Sequence, residues 1–234
     1  MFGKNPKARQ GPEHPETYSV KEVFTTFQGE GPYAGWPAVF VRMGGCNLAC
    51  FYCDTEFSRG LSTVTPEQLL QDIREEQERN PGARLVVFTG GEPMLQDLRP
   101  IIQALFYYQM AGQVQVETAG TVMWPNWPHH LAPLVVSPKT PKVNAEVARE
   151  AVAWKYILRA SGVDPRDGLP AYSTQEQGKE QPVARPGNRA PVYVQPCDEQ
   201  SPDLTERNTD IAIRVALNFG YRLSFQVHKM VNMP

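Results

Sequence analysis

At 234 residues, with 41% hydrophobic content and a formal net charge of −2, the chain is long enough for one large domain or two small ones. No basic field marks it for nucleic acid or an anionic membrane surface, and no apolar run is long enough to span a bilayer. Residues 1–16, polar and proline-rich, lack the apolar core of a secretory signal; they are expected to form a disordered tail on a cytoplasmic protein whose thiols stay reduced.

Residues 17–234 read as a single domain. "YSVKEVFTTF" (18–27) and "PAVFVRMGG" (37–45) are predicted strands by their β-branched and aromatic content, and the "QGEG" between them has the composition of a hairpin turn. "TPEQLLQDIREEQERN" (65–80) predicts a helix: Thr65 caps it, Pro66 opens it, Gln68 completes a capping box, and Leu69, Leu70 and Ile73 form one apolar face. "RLVVFTG" (84–90) is a short buried strand, and "DLRPIIQALFYYQM" (97–110) a helix ending at Gly112. "QVQVET", "PLVVS", "AWKYILR" and "PVYVQP" are further strands, followed by a helix over about 205–219 that stops at Gly220 and a final strand "RLSFQVH" (222–228).

This alternation predicts an α/β fold with a mostly parallel sheet. Residues 161–190, rich in Pro, Gly and Gln, read as a long mobile insertion with nothing in it to fill a core.

Chemistry concentrates in "GGCNLACFYCDTEF" (44–57), where three of the four cysteines occupy eight positions with the spacing Cys46-x3-Cys50-x2-Cys53. A structural zinc site takes four nitrogen or sulfur ligands, and no neighbouring residue supplies the fourth. A redox Cys-x2-Cys leaves the third thiol unexplained. A [4Fe–4S] cluster is usually held by four cysteines; held by three, it keeps one iron open for a substrate or cofactor, which accounts for the odd count. Zinc and redox thiols remain the alternatives. "FTGGEP" (88–93) follows a strand and precedes a helix, so its glycines either let the backbone approach a ligand or simply make a tight turn.

Cys-x3-Cys-x-aromatic-Cys, with Tyr52 as the aromatic residue, resembles the signature of the radical S-adenosylmethionine superfamily. The resemblance implies a partial, open (β/α)6-type barrel of about six parallel strands with the cluster on the loop after the first. It implies that S-adenosylmethionine binds the open iron and that its reductive cleavage releases a hydrogen-abstracting 5′-deoxyadenosyl radical. It also makes the "GGE" turn a cofactor contact, through Gly91 with Glu92 in support.

Within that superfamily, residues 26–57 and the closing "LSFQVHKMVNMP" are similar to the 7-carboxy-7-deazaguanine synthases of queuosine and 7-deazapurine biosynthesis. That resemblance implies a lyase converting 6-carboxy-5,6,7,8-tetrahydropterin to 7-carboxy-7-deazaguanine and ammonia, with magnesium assisting. Cofactor contacts are then expected from Tyr52, Cys53, Asp54, Gly91, Glu92, Ser137, Pro138, Lys139, Gln195, Pro196, Cys197 and Asp198.

Substrate contacts are expected from Phe27, Gln28, Gly29, Glu30, Arg42, Thr89, His228 and the terminal carboxylate of Pro234. Arg42 offers a cationic fork for a pterin carboxylate, or else makes a surface ion pair. Thr55 is the expected magnesium ligand, although a threonine after Asp54 is also ordinary turn chemistry. Cys197 is expected to contribute packing or backbone rather than a sulfur ligand. Lys155 reads as an ordinary surface charge, His129 and His130 as solvated or packing groups, and Trp124 and Trp127 as a cover for one end of the core. The expected partners are a small pterin, a reducing electron donor such as flavodoxin and a second copy in a homodimer, with no nucleic acid and no membrane. A glycyl-radical activating enzyme is the rival within the superfamily; a non-enzymatic iron–sulfur carrier is the rival outside it, and gains nothing from an open iron.

Overall fold

The computed structural model describes residues 6–51, 53, 55–175, 181–231 and 233. Its framework is one sheet of 9 strands: β1 (Tyr18–Phe27), β2 (Pro37–Met43), β3 (Ser62–Val64), β4 (Leu85–Gly90), β5 (Gln113–Thr118), β6 (Leu134–Val136), β7 (Ala153–Leu158), β8 (Val192–Pro196) and β9 (Arg222–Leu223). The spatial order is β3-β1-β2-β4-β5-β6-β7-β8-β9. From β2 to β9 every neighbouring pair is parallel, while β1 joins β2 and β3 antiparallel at one edge. The sheet does not close, so the open, partial barrel is as expected, with the short β9 as the accessory strand at the other edge.

The helices are α1 (Pro66–Arg79), α2 (Arg99–Tyr107), α3 (Ala145–Glu150), α4 (Pro202–Phe219) and α5 (Val227–Met230). The capping box of α1 forms as read: Gln68 N donates to Thr65 Oγ1 (3.3 Å) and Thr65 N to Gln68 Oε1 (2.8 Å). Its Leu69 and Ile73 are fully buried.

Strand alternation then sorts the side chains. Val39, Val41, Val86, Phe88, Val114, Val116, Val136, Trp154, Tyr156 and Val194 join the helices in the main core. The opposite face carries Ala38, Phe40, Leu85 and Val87 in a second cluster and Val135, Ala153 and Tyr193 in a third. Further along that same face, toward the strand C-termini, the sequence turns polar: Arg42, Thr89, Gln115, Glu117, Ser137, Lys155 and Gln195. One period-2 pattern therefore builds both a hydrophobic layer and a polar mouth.

Four expectations need correction. Helix α2 stops at Tyr107, because Gln109 takes a left-handed φ of 55° and the N–H groups of Met110 and Ala111 turn back to Leu105 O. The final strand is only two residues long: its continuation falls opposite Pro196, which has no N–H to donate, and the chain enters α5, so His228 is helical. The tail is laid against the cysteine loop from residue 6 onward, with Ala8 N donating to Cys46 O (2.7 Å), Gly11 N to Leu95 O (2.8 Å) and Glu13 paired with Arg99. In the insertion, Leu169 and Val183 belong to the main core, and Arg185 bonds Asp167 and the carbonyls of Pro170 and Val183. The described part of 161–190 is packed.

Candidate active site

The cysteine loop leaves the end of β2 and is fastened at both ends. Gly45 N donates to Phe57 O (2.9 Å), and Glu92 N donates to Gly45 O (2.9 Å). Cys46, Leu48 and Phe57 are buried together, with Cys50, Cys53 and Ala119 packed against them. All three sulfur-bearing residues line one cavity of about 250 Å³. Yet among the described residues no three His, Cys, Asp or Glu side chains converge closely enough to hold a single metal ion. Three thiols lining one shared cavity are a donor set that suits an iron–sulfur cluster. Burial pushes the Cys46 thiol up to about 12, so holding it as a thiolate at neutral pH requires positive charge in that cavity.

The "GGE" turn is fixed by packing on this loop. A Cβ at Gly91 would lie 1.9 Å from Gly45 O, and one at Gly90, whose φ is +118°, would lie 2.3 Å from Met43 O. The close approach these glycines permit is to the cysteine loop's own backbone. Glu92 is fully buried and its carboxylate accepts from Met94 N (3.1 Å), Thr118 Oγ1 (2.7 Å) and Ala119 N (2.8 Å). It braces the turn from behind, and burial raises its pKa despite those donors.

A second cavity of about 620 Å³ adjoins the first; Glu30, Thr89, Gly90, Glu117 and Gln226 line both. At the junction Lys155, only 6% exposed, pairs with Glu30 and lies 3.7 Å from Glu117. Gln195 donates to Glu30 (2.9 Å), and Gln28, Thr89 and Gln115 each donate to Glu117 (3.1 Å). Burial alone would raise the Glu30 carboxyl, but the Lys155 ammonium and the Gln195 and Gln226 side-chain donors hold it well below the usual carboxylate range. Burial would likewise lower Lys155, but Glu117 and Glu30 raise it above an ordinary lysine. The junction is thus a charged, hydrogen-bonded lining in a space walled by apolar strands.

A family model described as the Radical SAM superfamily matches residues 40–162. A 7-carboxy-7-deazaguanine synthase of Rhodospirillum rubrum is 41% identical over 239 residues, covering 100% of both chains. The chain belongs to the 7-carboxy-7-deazaguanine synthase family. The Rickettsia prowazekii synthase is 34% identical over 245 residues, 100% of this chain and 96% of its own. The crystal structure of QueE from Escherichia coli superposes with a TM-score of 0.65 at 25% identity, covering 90% of this chain and 94% of that one.

In this member of the family, the residues read from sequence fall into three groups. The first cavity gathers Cys46, Cys50, Cys53, Gly91, Ser137, Lys139, Gln195, Pro196, Cys197 and Asp198. The second gathers Gln28, Glu30, Arg42, Thr55, Thr89 and His228. Outside both stand Phe27, which is exposed, and Pro138, which lines a smaller neighbouring cavity. Glu92 stands behind the first cavity. Gly29 lies beneath His228: a Cβ there would sit 2.1 Å from Nδ1 of the ring, and Val227 N donates to Gly29 O. Tyr52, Asp54 and Pro234 lie outside the described residues.

Arg42 combines both of its readings, since it bonds Glu22 (2.6 Å) while facing the second cavity. Lys139 donates to Ser137, two residues before it on the wall of the first cavity, and burial lowers its pKa. Burial also lowers His228, which favours the neutral imidazole. Asp198 is tied to Lys229 at 2.7 Å.

Sequence reasoning missed Lys155 and Glu117. The available signal was alternation: each is the one charged residue on the interior face of a strand otherwise built for burial.

Proposed function

We propose that this chain converts 6-carboxy-5,6,7,8-tetrahydropterin to 7-carboxy-7-deazaguanine with loss of ammonia, as a radical S-adenosylmethionine carbon–nitrogen lyase of 7-deazapurine (queuosine) biosynthesis. The observation that carries this reading is full-length similarity, 41% identity across 100% of both chains, to a 7-carboxy-7-deazaguanine synthase. The two joined cavities support it, because a cofactor and a substrate whose atoms must meet need adjoining pockets with a shared wall.

Cys46, Cys50 and Cys53 would hold the [4Fe–4S] cluster, with Gly91, Ser137, Lys139 and residues 195–198 around S-adenosylmethionine. When bound, the cluster and S-adenosylmethionine supply reductive, hydrogen-abstracting chemistry that no side chain offers. The residues of the chain bind and orient. Gln28, Glu30 and Glu117 present acceptors and an amide to the donor edge of the pterin, and Lys155 keeps the Glu30 carboxylate ionised for that purpose. Arg42 faces the pterin carboxylate, Thr89 fixes the Glu117 rotamer, and neutral His228 packs the ring against Gly29. Thr55 is assigned to magnesium, whose preference for oxygen suits a hydroxyl beside a substrate carboxylate.

The substrate is a soluble small molecule and among the described residues no helix is long and apolar enough to cross a membrane, which supports a cytoplasmic setting. A flavodoxin-like donor and a homodimer complete the proposal. The test is an anaerobic incubation of reconstituted protein with the carboxytetrahydropterin, S-adenosylmethionine, reductant and magnesium. Formation of 7-carboxy-7-deazaguanine supports the assignment; cofactor cleavage without that product points to a glycyl-radical activating enzyme, and neither points to an electron carrier.

A further inference from the structure

Thr174 and Gln175 of the insertion reach the cluster loop at one of its sulfurs. Thr174 Oγ1 lies 3.0 Å from Cys50 Sγ, nearer than its other acceptor, Lys139 O at 3.2 Å, and Gln175 Nε2 lies 3.2 Å from the same sulfur. The segment is anchored on both sides. Phe51 N donates to Thr174 O (3.0 Å) and Ala49 N to Gln175 Oε1 (2.9 Å), which clasps the residues flanking Cys50. Thr174 N and Ser173 Oγ donate to Lys139 O (3.2 and 3.0 Å), so the same segment holds the strand-end lysine that lines the cavity. Ser173 and Thr174 are themselves buried. Among the described residues Cys46 Sγ meets the backbone N–H of Leu48 at 3.4 Å and no side-chain donor, so the two side-chain donors distinguish Cys50 from its neighbour.

We propose that Thr174 and Gln175 are positioning residues for the cluster, and that they set its reduction potential by donating hydrogen bonds to the Cys50 sulfur. This rests on Cys50 being a cluster ligand. Reduction adds one electron to the cluster and makes its sulfurs more negative, so N–H and O–H donors at a sulfur stabilise the reduced form more than the oxidised one. With two donors on one ligand, the insertion makes this cluster easier to reduce than one whose Cys50 sulfur met only water or apolar groups. The clasp at Phe51 and Ala49 holds the geometry, since these backbone bonds keep the donors in register with the sulfur.

The experiment uses full-length, anaerobically reconstituted protein. Iron and sulfide content, the visible spectrum and the midpoint potential from an EPR-monitored reductive titration are compared for wild type, Thr174→Val, Gln175→Leu, the double variant and Thr174→Ser. The apolar variants should keep their cluster and become harder to reduce. The double variant should shift the reduction equilibrium about tenfold, which is ~59 mV for a one-electron couple. Thr174→Ser retains the hydroxyl and should keep the wild-type potential. Potentials that stay put or rise in the apolar variants overturn the proposal, as does loss of the cluster in every variant including Thr174→Ser, since the contact would then be purely structural. A wild-type protein that assembles no [4Fe–4S] cluster sinks the cluster assignment itself, a separate result read from the iron and sulfide content before any potential is measured.

Discussion

Replacing Lys155 by Met removes the ammonium paired with Glu30 and close to Glu117 at the junction of the cavities while nearly conserving side-chain volume. Lys155 is 6% exposed, contacts Glu30 directly and lies 3.7 Å from Glu117. Breaking a buried pair from one side leaves an uncompensated charge and costs ~3–5 kcal/mol. A domain of this size loses ~2–4 °C in Tm per kcal/mol, so the expected drop is on the order of 10 °C at pH 8. The pH dependence carries the sharper signature. In wild type the Glu30 pKa is held below its unfolded value, so its contribution is present above about pH 4.5 and is lost as pH falls through the folded pKa. Lys155, raised in the fold, contributes below its unfolded pKa of ~10.4 and loses that contribution as pH rises through the folded value. In Lys155→Met the buried Glu30 carboxyl has lost its cation and its pKa rises above the unfolded value. The variant therefore gains stability as pH falls from 8 to 5, over a range where Glu30 leaves the wild type unchanged. Thermal melts of both proteins across that range decide it. A variant that melts with wild type and shows the same pH slope would refute the charge network described here.

Replacing Cys46, Cys50 or Cys53 by Ala should leave defective iron content and abolish cofactor cleavage, whereas Cys197→Ala should assemble a normal cluster; iron and sulfide analysis checks both. Gly91→Ala places a Cβ 1.9 Å from Gly45 O, so it should destabilise at the top of the ~1–3 kcal/mol range for overpacking and disturb the cysteine loop, seen as a lower denaturation midpoint with poor cluster incorporation.

Much of the fold was legible because its determinants are local. The α1 capping box lies within four residues, and the β4 and β5 strands announce themselves by continuous or alternating burial. The cysteine loop was legible for the same reason. What escaped is tertiary. Lys155 looks like any surface lysine until the register Lys155↔Tyr193 turns it inward toward the Glu30 turn, 125 residues away in sequence. Glu117 reads as the polar end of a strand until Gln28, 89 residues earlier, points at it. The insertion's low hydrophobicity hid the fact that Leu169 and Val183 are buried in the main core, with polar contacts such as Arg185 to Asp167 beside them. The N-terminal tail misled in the same way: its bonds to Cys46 and Leu95 are made by backbone groups, which composition does not reveal.

Turnover of a carboxytetrahydropterin with S-adenosylmethionine as a catalytic cofactor is tested by the stoichiometry of the anaerobic reaction, with 7-carboxy-7-deazaguanine, ammonia and 5′-deoxyadenosine quantified against time by mass spectrometry. The expected result is one ammonia per 7-carboxy-7-deazaguanine and many equivalents of that product per S-adenosylmethionine consumed. No 7-carboxy-7-deazaguanine, or one 5′-deoxyadenosine released for every product formed, would contradict it.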